Sequence, residues 1–201
     1  SEAKYNHTAT LLEDGRVLVV GGGGLGASSS VCQFFNYLTN SWSSCPSVLT
    51  ARTQHKTVLM ADGNILVTGG SSGLTSCVIY NLSTETWTYT GGFSTGRYTH
   101  TLNLLPNNKI LATCGYNAGV LSSTEIYDPI AGSWTTAGTI TARWDHTATL
   151  LHTGNLLVSS GGTASSTINT CNIYDVVSNS WTTTNVSNYR QWHSSILLPN
   201  M

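Results

Sequence analysis

RWDHTATLLHTGNLLVSSGG, residues 143–162, followed after a small-residue loop by CNIYDVVSNSW, residues 171–181, is the stretch that decides how this chain folds. Variants of it recur from one end of the sequence to the other. His7, His55, His100, His146 and His193 stand 48, 45, 46 and 47 residues apart, and Trp42, Trp87, Trp134 and Trp181 stand 45, 47 and 47 apart. A fixed period in this range marks a repeat architecture. A unit of about 46 residues is too small to bury a core alone, so neighbouring units must stack.

Each unit reads as four short strands separated by turn signals. In the first, Tyr5–Leu12 carries HTATLL, Asp14-Gly15 turns the chain, and Arg16–Val20 is an apolar run ending at Gly21-Gly22. A loop over 23–30 leads to a strand at Val31–Asn36, a turn at Leu38–Ser41 and a last strand at Trp42–Cys45. Later units copy this with ILVTGG and VIYN, KILATCG and EIYD, NLLVSSGG and NIYD. No helical period appears. Four-stranded units with paired glycines and a late tryptophan predict propeller blades.

R-x-x-H, an apolar strand ending in Gly-Gly, a Tyr-Asp-like pair and then a Trp together resemble kelch repeats, over essentially the whole chain. The expected fold is all-β: a kelch-type β-propeller segment of four four-stranded antiparallel blades plus the first strand of a fifth. The repeats fall at about 1–48, 49–93, 94–139, 140–186 and, in part, 187–201, forming one region. Lys4 replaces the first Arg, Cys114-Gly115 replaces one glycine pair, and Ser160 precedes Gly161-Gly162. Kelch propellers close as rings with more blades than this sequence supplies. The resemblance therefore implies part of a longer propeller, or an assembly in which the terminal strand joins another copy, because an unpaired strand edge invites another chain.

Charged residues are 8 % of the chain and the net charge is −1, which gives no field to attract nucleic acid or an anionic membrane. No run of 18 apolar residues predicts membrane insertion. SEAKYNHTAT lacks a signal-peptide core.

Recurrence sorts scaffold from site. A Trp in every unit, with Phe35, Tyr80, Tyr127 or Tyr174 seven residues before it, suits packing between blades. The histidines lie in separate units and outside any short metal motif, so they read as hydrogen-bonded scaffold, with no metal site and no cofactor expected. Cys32, Cys77 and Cys171 share one repeat position, ten residues before the Trp, that suits a small buried thiol. Cys45 adds an option. A hairpin around 38–40 places it opposite Cys32, where a disulfide can form if the Cβ atoms approach.

Five of the eight Lys and Arg residues, Lys4, Arg52, Arg97, Arg143 and Arg190, share one position, on the side of the strands that also carries the loops after Gly-Gly. They either bind an anionic group there or brace the blades. The residues inside R-x-x-H vary: Tyr5-Asn6, Thr53-Gln54, Tyr98-Thr99, Trp144-Asp145 and Gln191-Trp192. Trp144 and Trp192 are the tryptophans outside the scaffold register. The candidate binding residues are therefore Arg52, Arg97, Tyr98, Tyr116, Arg143, Trp144, Asp145, Arg190 and Trp192, a surface suited to a protein, peptide or carbohydrate ligand. No catalytic residue is identified. The resemblance implies a non-enzymatic binding module. Its alternative is a fragment of a copper-radical oxidase similar to galactose oxidase, although no Tyr-His dipeptide occurs and none of that enzyme's ligands finds a matching position. Few charges, many Ser and Thr, and sequons at Asn6, Asn81 and Asn185 resemble secreted kelch-rich proteins, so an extracellular setting is expected.

Overall fold

The computed structural model describes residues 3–24, 27–185 and 188–199. The chain divides into two compact units, Ser1–Tyr98 and Thr99–Met201, each holding two antiparallel four-stranded blades. In the first unit, blade one consists of β1 (Thr8–Leu11), β2 (Val17–Val20), β5 (Cys32–Asn36) and β6 (Ser41–Cys45). The loop between β2 and β5 is shaped by a small ribbon, β3 (Gly23–Gly24) with β4 (Ala27–Ser28), rather than left irregular. Blade two is β7 (Lys56–Leu59), β8 (Ile65–Thr68), β9 (Cys77–Asn81) and β10 (Thr86–Thr90).

In the second unit, blade three is β11 (Thr101–Leu104), β12 (Ile110–Thr113), β13 (Ser123–Asp128) and β14 (Ser133–Thr139). Blade four is β15 (Thr147–Leu150), β16 (Leu156–Ser159), β17 (Thr170–Asp175) and β18 (Ser180–Asn185). The fifth repeat starts in register: His193 and Ser195 meet the β15 residues Thr147 and Thr149 through side-chain hydrogen bonds at 2.9 and 2.6 Å. Its described residues, 188–199, nevertheless form no strand. The expected first strand of a fifth blade is thus present as a docked segment without a ladder.

Cross-strand register places each aromatic opposite its Trp. Phe35 faces Trp42, Tyr80 faces Trp87, Tyr127 faces Trp134 and Tyr174 faces Trp181, with ring centroids 4.8–5.2 Å apart. Tilted pairs at this spacing add to what burial alone contributes. The Trp also ties its blade to the one before it. Trp87 Nε1 donates to Pro46 O at 2.7 Å, and Trp181 Nε1 to Ala137 O at 2.8 Å. Between the blades of the first unit, Leu18, Val20, Phe34, Ile65 and Val67 form the core. In the second, Leu111, Cys114, Leu156, Val158 and Tyr174 do the same.

Cys32 and Cys45, partners in the β5–β6 ladder, are joined as a disulfide with their Cα atoms 5.3 Å apart. Cys77, Cys114 and Cys171 are buried and outside any disulfide. Among the described residues, no helix is long and apolar enough to cross a membrane.

Candidate functional site

The R-x-x-H segment has a fixed backbone in every repeat. Its second variable residue is left-handed in all five copies: φ is 53° at Asn6, 56° at Gln54, 51° at Thr99, 47° at Asp145 and 55° at Trp192. Asn and Asp tolerate this region, whereas for a bulky or β-branched residue it is an outlier. These positions are therefore free in side chain but not in backbone. Consecutive copies are linked through them, with Gln54 N donating to Asn6 O at 3.0 Å and Trp192 N to Asp145 O at 3.3 Å.

The glycine pairs serve the same junction. Gly22, Gly70, Gly115 and Gly161 each donate their N–H to the carbonyl of the next repeat's arginine, at 2.8–2.9 Å. All four have φ between 99° and 132°. A Cβ on Gly161 would meet Trp144 O and the His146 Cβ at 2.9 Å, so no other residue fits. In blade four the functional pair is Ser160-Gly161, with φ of 50° and 114°, and not Gly161-Gly162.

The arginine side chains turn inward. Arg52, Arg97 and Arg143 are fully buried. Arg52 donates to Thr50 O, Gly69 O and Ser76 O at 3.0–3.3 Å. Arg143 donates to Thr141 O, Ser160 O and Thr170 O at 2.9–3.1 Å and to Asn172 Oδ1. Arg97 lies 4.8 Å from the centre of the Phe93 ring. A planar five-donor fork can bind several carbonyls at once, so Arg52 and Arg143 each fasten the ends of two strands within their own blade. Burial pulls the Arg52 and Arg143 guanidinium groups below the ordinary arginine pKa. Arg52 and Arg143 therefore act as braces, with donors turned to carbonyl and side-chain oxygens of their own blades, and Arg97 is buried at the same repeat position. Arg190, at the same repeat position, is exposed.

The histidines are scaffold as well. His55, His146 and His193 bond through Nε2 to Thr8, Thr113 and Thr147 at 2.8–2.9 Å. Among the described residues, no three His, Cys, Asp or Glu side chains converge to hold a metal ion.

In the second unit, the remaining candidates come together. Trp144 pairs with Gly162 through reciprocal backbone hydrogen bonds at 2.9 and 3.0 Å, and its Nε1 donates to Thr163 O at 3.4 Å. Tyr116, one register position beyond Cys114-Gly115, packs on Trp144 with centroids 5.9 Å apart. Trp192 is 77 % exposed, and its indole N–H donates to Asp145 Oδ2 at 2.6 Å. Gln191 and the Trp144 indole nitrogen both lie within 2.8 Å of where a Cβ on Gly162 would stand, so this glycine lets the two side chains meet. Gln191 and Gly162 belong to this cluster and the sequence reading missed them; a glycine following the Ser160-Gly161 pair, standing where blade three has Tyr116, was the available signal. Tyr98 falls in the first unit, half-buried, and is not part of this cluster. Of the sequons, Asn6 and Asn185 are exposed, and Asn81 is half-buried with Oδ1 accepting from the Ser83 and Thr84 amides.

Blades of four antiparallel strands, a tryptophan clamped on the preceding blade and an arginine brace at each strand mouth define a kelch-type propeller. The family model described as the KLHDC2/KLHL20/DRC7 Kelch-repeats domain matches residues 6–200, and the chain belongs to this kelch-repeat family. A comparison with curated proteins found no match. Among solved structures the chain is similar to YjhT, with a TM-score of 0.79 and 15 % identity over 94 % of this chain and 73 % of that one, a likeness of fold. Kelch propeller domains generally serve as protein-interaction modules.

Proposed function

We propose that the chain binds a partner protein through the face bearing the R-x-x-H segments, centred on Trp192, Asp145, Trp144 and Tyr116. The observation that carries this reading is Trp192: an exposed indole whose backbone sits at φ 55° and whose N–H is anchored on a carboxylate. A large apolar ring that is both exposed and held in place contributes binding energy without a large ordering cost. With three arginines withdrawn into the blades, the surface recognises shape and hydrogen bonding more than negative charge. A carbohydrate ligand is the second reading, favoured by the uncharged loops 116–123 and 163–170 beside the aromatic rings.

Selection of peptides from a random display library against the whole chain, followed by affinity measurements, tests the proposal. Trp192→Ala and Trp144→Ala should weaken the selected peptides at least tenfold, while Asp62→Asn and Glu85→Gln leave them unchanged. Loss confined to the last two variants would place the site on the opposite turns. Binding of glycans but no peptide would favour the second reading.

The Cys32–Cys45 bond supports an extracellular or secreted setting, since disulfides persist in oxidising compartments. The exposed Trp42 surface supports its being covered by further kelch blades, from the same polypeptide or from another copy. Sedimentation as a 21.4 kDa monomer in which Trp42 reacts freely with solvent oxidants would contradict that.

A further inference from the structure

The second unit also has a cleft on its opposite side, among the hairpin turns. It encloses about 250 Å³ and is lined by Asn107, Lys109, Ile126, Thr135, Tyr174, Val176 and Asn179. Its polar groups are mostly donors. Asn107 Oδ1 accepts the Lys109 N–H at 3.2 Å, and Asn179 Oδ1 accepts the Tyr174 hydroxyl. With both carbonyl oxygens occupied, the two amide NH₂ groups have no partner among the described residues. Burial raises the Tyr174 pKa, so its hydroxyl stays protonated and keeps Asn179 in this orientation.

The other repeats show why a cation stands here. In blade one the turn acid Asp14 pairs with Arg16 at 2.7 Å, and in blade two Asp62 bonds Asn64. Blade three has Asn107 in place of the acid. Lys109 therefore reaches across to Asp128 Oδ2 at 3.1 Å and remains partly exposed. The acids nearby are both committed to turns. Asp128 Oδ1 accepts the Ile130 and Ala131 amides, and Asp175 Oδ1 accepts those of Val177 and Ser178. Ile126 and Val176 supply an apolar wall.

We propose that this cleft binds a carboxylate carried on a short aliphatic stem. The ammonium of Lys109 and the two amides meet the oxygens, and Ile126 and Val176 meet the stem. The volume fits one small acid or one glutamate side chain, and lysine binds such a group as a point charge. Asp128 competes with the ligand for Lys109.

Titration of the ¹⁵N-labelled whole chain with butyrate tests this, using butyramide as the neutral control. A C-amidated, N-acetylated peptide with a single glutamate separates a protein-borne carboxylate from a free acid. Saturable millimolar shifts of the Asn107 and Asn179 side-chain amides are expected with butyrate and not with butyramide. Lys109→Gln should weaken binding at least tenfold. Asp128→Asn, which keeps an acceptor for the turn, should tighten it severalfold. Equal responses to butyrate and butyramide, or no effect of Lys109→Gln in a variant of unchanged Tm, would overturn the proposal.

Discussion

Trp42 and Trp87 occupy the same position in successive repeats, each stacked on the aromatic opposite it, yet Trp42 is 57 % exposed and Trp87 is 8 % exposed. The difference is the neighbour. Blade one covers Trp87 and accepts its indole N–H through Pro46, while the first unit contains no blade ahead of Trp42. Arg143 and Arg190 repeat the lesson. One is buried in its own blade with at least four acceptors, and the other, with no such blade behind it, is exposed. A repeat motif specifies a residue's role only where the adjoining structure exists to receive it.

Truncation should expose this difference most sharply. Trp87→Ala removes a buried ring and opens a cavity, costing about 3–5 kcal/mol in equilibrium denaturation. Trp42→Ala should cost less than about 1 kcal/mol. Similar losses at both sites would show that intrablade stacking, rather than the preceding blade, carries the energy.

The arginine pair comes next. Arg143→Met takes the guanidinium donors away from Ser160 O and Thr170 O at the β16 and β17 ends, and about 3 kcal/mol of stability should be lost. Arg190→Met should change the midpoint by less than about 0.5 kcal/mol. Equal effects would return the buried arginines to the list of surface groups.

Blade one has a staple of its own, the Cys32–Cys45 bond. Cys32→Ser with Cys45→Ser should cost about 2–3 kcal/mol through the loop it closes. Limited proteolysis should then cut first within blade one. First cuts elsewhere would show that the bond does not hold that blade.

The smallest effect is on pH dependence. Burial, with Arg52 adding to it, pulls the His55 pKa from 6.5 to about 3. The unfolded chain binds a proton there below about pH 6.5, whereas the folded chain does not until about pH 3. Stability from this site is therefore complete above pH 6.5 and falls as the pH drops through that window. The loss is about 2 kcal/mol by pH 5. His55→Gln should flatten the curve. His193, less buried beside Arg190, has its pKa lowered too, and replacing it should flatten the curve less.

How much of this was legible in the sequence depends on what each residue's role required. The period, the strand order and the facing of Phe35 with Trp42 or Cys32 with Cys45 follow from counting along hairpins, because register is local. The fate of the arginines was not local. Their even spacing was compatible with an anion site or a brace, and the choice rests on carbonyls some 17 and 27 residues downstream of Arg143. The left-handed residues of R-x-x-H were hidden for another reason. Asn6 and Asp145 suggest such a backbone, but Thr99 and Trp192 argue against it, and only the recurring junction imposes it. The proximity of Gln191, Trp144 and Gly162 depends on one missing Cβ, which becomes visible once two repeats are docked together.

Oxidative footprinting of the tryptophans by mass spectrometry, with and without a selected peptide, tests the central claim most directly. Trp192 should be oxidised fastest and Trp87 slowest. The peptide should protect Trp192 and leave Trp42 unchanged. Fast oxidation of Trp87, or protection of Trp42 in place of Trp192, would contradict the division between packed scaffold and exposed binding face.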